Sequence, residues 1–154
     1  ELWARTPTAF DGYWRLPEQS ARAFRDGYCT AGDMARRDAD GFYSLVDRKS
    51  NMIITGGEKV YPSEVEQVLA AHPDVREVAV IGLPDQKWGE AVTAVVVPAP
   101  GRQPSAEALL EHARKALAGY KCPRQVKLIR DEEMPRTATG KILHRVLREK
   151  FAKA

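Results

Sequence analysis

Val75-Arg-Glu-Val-Ala-Val-Ile-Gly-Leu83 and Ala91-Val-Thr-Ala-Val-Val-Val97 are the two most strongly β-forming runs of this 154-residue chain. β-Branched side chains pack well on a pleated surface, and the second run lacks polar alternation, which suits a strand covered on both faces. Pro84-Asp-Gln-Lys-Trp-Gly-Glu90 reads as the polar loop between them. Helical patterns flank the pair. Upstream, Pro62-Ser-Glu-Val-Glu66 opens a helix with Val65, Val68 and Leu69 on one face and a capping box of Ser63 and Glu66, ending near His72-Pro73. Downstream, Ser105 to Leu117 is amphipathic through Leu109, Leu110, Ala113 and Leu117. Gly119-Tyr-Lys-Cys-Pro123 breaks that helix, and Gln125 to Ile129 is a last strand. The alternation after residue 50 predicts an α+β fold, a central sheet with helices against it.

Nearer the N-terminus the pattern changes. Leu2 to Thr6 is short and β-like, and Leu16 to Phe24 is a brief helix with Pro17 in its first turn. Tyr28 to Thr30 reads as a strand, and Met34 to Arg37, the turn Asp38-Ala-Asp-Gly41 and Phe42 to Val46 read as a hairpin. These residues look like the end of a β-rich unit too small to stand alone. Asp47 to Asn51 is a polar joint, followed by two short strands, Met52 to Ile54 and Lys59 to Tyr61, linked by Thr55-Gly-Gly-Glu58. The organisation expected is therefore a β-rich segment over 1–47, a hinge over 48–51 and a small α+β domain over 52–154.

Composition excludes several classes. With 44% hydrophobic and 29% charged residues the chain is an ordinary globular one. No apolar run reaches the roughly 20 residues of a membrane span, and Glu-Leu-Trp-Ala-Arg5 has no signal-peptide layout, so a cytoplasmic location is expected. Cys29 and Cys122 stand apart with no metal-ligand spacing, and read as free buried thiols, with no metal site. Net charge is +3, but residues 121–154 hold ten Lys/Arg against four Asp/Glu. Such a basic segment should face an anion; after Tyr120 only Phe151 could stack on bases, which favours a nucleotide or phosphorylated cofactor over nucleic acid.

Pro135-Arg-Thr-Ala-Thr-Gly-Lys141 is the clearest place for that anion. Pro135, two threonines and Gly140 disfavour helix, whereas Ile142, Leu143, Val146 and Leu147 have helical spacing, so Lys141 is expected where a loop becomes a helix. It is not a Walker A loop, which would need Gly at Pro135 and Ser or Thr at Ile142. His72, His112 and His144 are scattered and unpromising as bases, with His144 expected on the helix surface.

Together, Gly27-Tyr-Cys-Thr-Ala-Gly-Asp33, Gly41-Phe-Tyr-Ser-Leu-Val-Asp-Arg-Lys49, Met52 to Glu66 and Pro135 to Lys141 resemble, in order, the motifs of the adenylate-forming enzymes. That family includes acyl- and aryl-CoA ligases, peptide-synthetase adenylation domains and firefly luciferase. The resemblance implies the C-terminal portion of such an enzyme: the end of the large domain, a distorted-barrel β segment, and then the small mobile domain. It implies that Lys141 bridges carboxylate and phosphate during adenylation, that Asp33 holds the ribose diol, and that Arg48 contacts the ribose and phosphate side of the nucleotide. It places the hinge at Lys49 and Ser50, although the family's pivot is commonly Asp or Lys. Gly56, Gly57, Lys59, Trp88 and Lys121 are the implied coenzyme A residues. ATP, coenzyme A and Mg²⁺ are the implied cofactors, Mg²⁺ being bound by the N-terminal domain absent from this sequence. A carboxylic acid is the implied substrate, and a protein lysine acetyltransferase acting on Lys141 an implied partner.

Three readings stay open at this point. An acyl- or aryl-CoA ligase tail is the first, expected to be inactive alone. A peptide-synthetase adenylation domain is the second, disfavoured by a chain that ends 13 residues after Lys141. A non-catalytic basic interaction module is the third.

Overall fold

The computed structural model describes residues 1–153, which divide into two compact units, Glu1–Ser50 and the residues from Asn51 onward. In the first unit, helix α1 (Pro17–Ala23) leads into β1 (Phe24–Arg25), which pairs antiparallel with β2 (Tyr28–Cys29) across an Asp26-Gly27 turn. The predicted strand at Leu2 to Thr6 reduces to one bridge, Ala4 to Cys29. The expected hairpin forms from β3 (Asp33–Arg37) and β4 (Tyr43–Arg48), with a register shift at Met34/Ala35. The two small sheets make no closed barrel among the described residues. A single 3-10 turn, Lys49–Asn51, follows β4.

The second unit is built on a five-stranded sheet. β5 (Ile53–Thr55) and β6 (Glu58–Val60) form a hairpin, helix α2 (Pro62–Ala70) follows, and β7 (Val75–Asp85) pairs antiparallel with β8 (Gly89–Pro98) along nearly its whole length. After helix α3 (Ala106–Ala116), β9 (Gln125–Leu128) joins β8 in parallel, and helix α4 (His144–Ala152) closes the unit. β5 and β9 share one edge of β8, at Gly89 and at Thr93–Val96, which leaves β7 as an edge strand.

The apolar run in β8, interrupted only by the buried Thr93, has the reason anticipated from its sequence. Val92, Ala94 and Val96 pack with Val65, Leu69, Leu109 and Ala113 of α2 and α3 on one face. Val95 and Val97 pack with Ile81, Leu83, Met134 and Leu147 on the other, where α4 lies. A strand with a helix layer on each face has no wet side, so periodicity gives way to a continuous run.

Four details depart from the sequence reading. The loop Pro84 to Glu90 is mostly strand: Pro84 pairs with Glu90 and Asp85 with Gly89, and Asp85 Oδ1 accepts the N–H groups of Lys87 and Trp88 at 2.9 Å to close a tight turn. The Ser63/Glu66 capping box does not form, because α2 begins at Pro62 with Tyr61 before it, and Glu66 is used elsewhere. Proline at the first helical position lacks the donor a cap would satisfy. Helix α4 starts at His144, three residues after Lys141. Of the two free thiols, Cys122 is buried and Cys29 only half-buried; burial pushes the Cys122 thiol up from its ordinary value.

Candidate functional site

Pro135 to Lys141 turns back on itself instead of running into a helix. Thr137 N–H donates to Lys141 O at 2.8 Å, Gly140 N–H to Thr137 O at 2.9 Å, and Lys141 N–H to Thr137 Oγ1 at 3.1 Å. Arg136 and Ile142 bridge antiparallel at the base of the turn. Gly140 has φ 83°, a left-handed conformation that favours glycine. Lys141 is thus held in a closed turn three residues before α4, not where a loop becomes a helix. Its side chain is exposed and makes no hydrogen bond or ion pair among the described residues. The backbone is fixed and the ammonium is uncommitted.

His144 is not on the outer surface of α4. Its Nε2 lies 2.7 Å from Glu66 Oε1, which also accepts the Val80 N–H of the edge strand at 2.8 Å. Glu66 therefore joins α2, β7 and the start of α4.

The two glycines of the β5–β6 turn have φ values of 58° and 86°, which a two-residue hairpin turn with both central residues left-handed requires. A Cβ on Gly56 would lie 2.9 Å from Trp88 Cε3, whereas one on Gly57 would meet nothing within 4 Å. Gly56 N–H donates to Trp88 O at 2.8 Å, and Glu90 Oε2 accepts the Ile54 N–H at 2.7 Å. Where β5 leaves β8 after a single paired position, the Glu90 carboxylate thus replaces a backbone acceptor. Trp88 in turn carries Arg124 over its ring, 3.8 Å from guanidinium carbon to centroid. Structure brings Gly56, Gly57, Trp88 and Arg124 together.

Other sequence candidates fall less centrally. Lys59 is exposed on β6, opposite Ile54. Lys121 is engaged: Nζ lies 2.6 and 2.8 Å from the two oxygens of Glu64, a hydrogen bond that raises its pKa. Arg124, at the end of the stretch Tyr120 to Arg124, was not among the residues named one by one, and the structure sets it over Trp88. Its signal was present in the basic stretch Tyr120 to Arg124, but spacing alone does not tell which basic side chain meets Trp88.

In the first unit, Asp33 and Arg48 are cross-strand partners, with Arg48 Nε 3.4 Å from Asp33 Oδ1. Both stay partly exposed, at 53% and 31% of their side chains for Arg48 and Asp33. A concavity of about 510 Å³ beside them is lined by Arg22, Thr30, Gly32, Arg48, Lys49 and Ser50 among others. A carboxylate and a guanidinium side by side offer acceptors for a diol and donors for an anion, the donor set a nucleotide needs. Lys49 donates its N–H to Gly32 O at 2.8 Å and its ammonium to Glu1 at 2.9 Å, which holds the Glu1 carboxyl below its ordinary value. No group of three or more His, Cys, Asp or Glu among the described residues is placed to hold a metal ion. None of the helices among them is long and apolar enough to cross a membrane.

Residues 64–141 match the family model for the AMP-binding enzyme C-terminal domain. The chain is 45% identical over 151 residues to a feruloyl-CoA synthase of an Amycolatopsis species, covering 98% of this chain and 30% of that protein. It is 43% identical to a medium/long-chain fatty acid–CoA ligase of Mycobacterium tuberculosis, covering 98% of this chain and 27% of that one. Among solved structures, ATP-bound MatB from Rhodopseudomonas palustris superposes with a TM-score of 0.87 at 39% identity, over 96% of this chain and 29% of its own length. The chain spans about 30% of the length of the curated relatives it matches.

Proposed function

This chain belongs to the AMP-binding enzyme C-terminal domain family, and from that premise we propose that it is the C-terminal part of a cytoplasmic, ATP-dependent acyl- or aryl-CoA ligase. In that reaction a carboxylate oxygen bonds to the α-phosphorus of ATP and pyrophosphate leaves. The thiol sulfur of coenzyme A then attacks the acyl carbon, and AMP leaves. Lys141 serves the first step. Its ammonium neutralises charge where carboxylate and phosphate oxygens converge, and the closed turn gives it a fixed origin. The observation that carries this reading is an exposed ammonium with no partner among the described residues, on a hydrogen-bonded turn.

Asp33 and Arg48 hold the nucleotide, Asp33 at the ribose diol and Arg48 toward the phosphate. Their existing pairing keeps both side chains oriented before the nucleotide arrives. Gly56, Gly57 and Trp88, with Arg124 and Lys59, serve the coenzyme A step; Gly57 leaves open space, and Arg124 and Lys59 supply positive charge for phosphates. Lys121, already tied to Glu64, supports this region by holding its segment to α2. Lys49 and Ser50, in the 3-10 turn between the two units, act as the hinge. Mg²⁺ would be held by residues outside this sequence and would supply charge compensation for the ATP phosphates. An acetyltransferase that modifies Lys141 would remove the charge on which adenylation depends.

The basic-module reading loses its footing in the side chains. Lys121, Arg130, Arg136, Arg145 and Lys150 of the basic segment are paired to carboxylates, and Arg124 is stacked on Trp88.

In the intact ligase, Lys141→Ala should lower pyrophosphate exchange by about a hundredfold or more. Thioester formation from supplied acyl-adenylate should persist. Equal loss of both half-reactions overturns the assignment, as does an acetylated Lys141, verified by mass spectrometry, that adenylates at the full rate.

A further inference from the structure

We propose that Arg136 is the positioning residue for the Lys141 turn, clamping its first arm to the edge of the sheet so that the ammonium is delivered in one geometry. This rests on the reading of Lys141 as the adenylation residue. Arg136 and Ile142 are the two ends of the turn, paired across its base. Ile142 is fixed by packing against the core on the α4 side. Arg136 is fixed by its side chain.

The guanidinium has four acceptors around it. Nη2 donates to Glu77 on edge strand β7 and to Asp131 Oδ1 at 2.6 Å. Nη1 donates to the backbone oxygens of Asp131 at 3.1 Å and Met134 at 3.3 Å. The second Asp131 oxygen is held by Arg76 Nη2 at 3.2 Å, so the carboxylate is itself oriented. Three segments are thereby pinned at one planar group: strand β7, the 3-10 turn Asp131–Glu133 and the first arm of the Lys141 turn. A planar fork can span acceptors on both of its terminal nitrogens, whereas an ammonium presents its donors from a single atom.

The arrangement anchors for function and not only for stability, because of what it leaves unanchored. Between the Arg136 clamp and Ile142, the turn is closed among the described residues by its own hydrogen bonds alone, and Lys141 has no side-chain partner among them. With Arg136 cut back, the first arm keeps the buried Met134 before it, the hydrogen bonds of the turn itself and Leu143 N–H to Pro135 O at 2.9 Å, but loses its side-chain tie to β7. A shift of about 1 Å at the base is then passed to the ammonium, and misplacements of that size cost up to about a hundredfold in rate.

The test uses the intact ligase and measures both half-reactions for Arg136→Ala, Arg136→Lys and Glu77→Gln, beside Lys141→Ala. Arg136→Ala should lower adenylation about ten- to a hundredfold through kcat, with the KM for ATP changed less than about threefold and thioester formation from supplied acyl-adenylate retained. Arg136→Lys should recover only part of the loss. Glu77→Gln, which keeps size and one acceptor, should give a smaller defect confined to adenylation, and it decides the matter if Arg136→Ala does not fold. Adenylation within twofold of the unmodified enzyme in Arg136→Ala or Glu77→Gln overturns the proposal, and so does a parallel fall in both half-reactions. If Lys141→Ala itself adenylates normally, the reading of Lys141 fails instead, and the two failures are told apart.

Discussion

At the scale of single residues, the chain shows which side chains are spent on structure and which are left to act. Thr55 is 2% exposed and its Oγ1 is buried without a hydrogen-bond partner among the described residues, next to the Gly56–Gly57 turn. A buried hydroxyl without a partner carries a desolvation cost of about 1–3 kcal/mol. Thr55→Val keeps the shape and removes the polar atom, so urea unfolding should show a stability gain of about 1 kcal/mol; a loss of similar size would mean that the hydroxyl is satisfied in solution. Which residues stand next to one another was legible in the sequence where the pairing is local. Asp33 and Arg48 lie on the arms of a hairpin whose Asp-Gly turn is visible in the sequence, and the hairpin brings them opposite each other. Arg124 and the Glu66–His144 contact were not legible, because each depends on segments 36 and 78 residues apart being brought together by the sheet.

At the scale of elements, apolar spacing located the helices and the two long strands, but it misjudged how the chain enters α4. Ile142 and Leu143 continue the helical spacing of Val146 and Leu147, yet Ile142 is the returning arm of a turn and Leu143 precedes the helix. A residue that must point into a core does so equally well from an extended arm, and periodicity does not distinguish the two. The same limit applies to Lys121, whose exposed, basic look in sequence conceals a tie between its segment and α2 through Glu64. Hydrogen bonding to Glu64 raises the Lys121 pKa above its ordinary 10.5. A raised amine value stabilises the fold fully below the unfolded pKa and loses that contribution as pH rises through the folded one. Glu64→Gln should therefore unfold more readily than the unmodified chain at neutral pH, and the difference should shrink above about pH 10.5. A difference that stays constant into strong alkali would mean that the pair contributes nothing through its charge.

At the scale of the whole molecule, the two units differ in the one quantity that decides whether a segment folds alone. Beyond Asn51 the sheet has a core on each face, with Leu69, Leu109, Val92 and Val96 fully buried on one and Leu147, Val95 and Ile81 on the other, the last 1% exposed. Before it, only Ala23 and Thr30 are buried, while Trp14 is 85%, Phe42 72% and Leu45 68% exposed. Folding fifty residues costs roughly 1–2 kcal/mol per residue in backbone entropy alone, and two small buried side chains offset little of it. Residues 51–154 expressed by themselves should then show a cooperative thermal transition and dispersed amide resonances. Residues 1–50 alone should show neither, because beyond the small Phe10, Tyr13 and Phe24 cluster most of their large apolar side chains stay exposed. A dispersed spectrum from the isolated N-terminal segment, or a broad non-cooperative melt from the C-terminal one, would mean that the division of buried surface seen here does not govern how the chain folds.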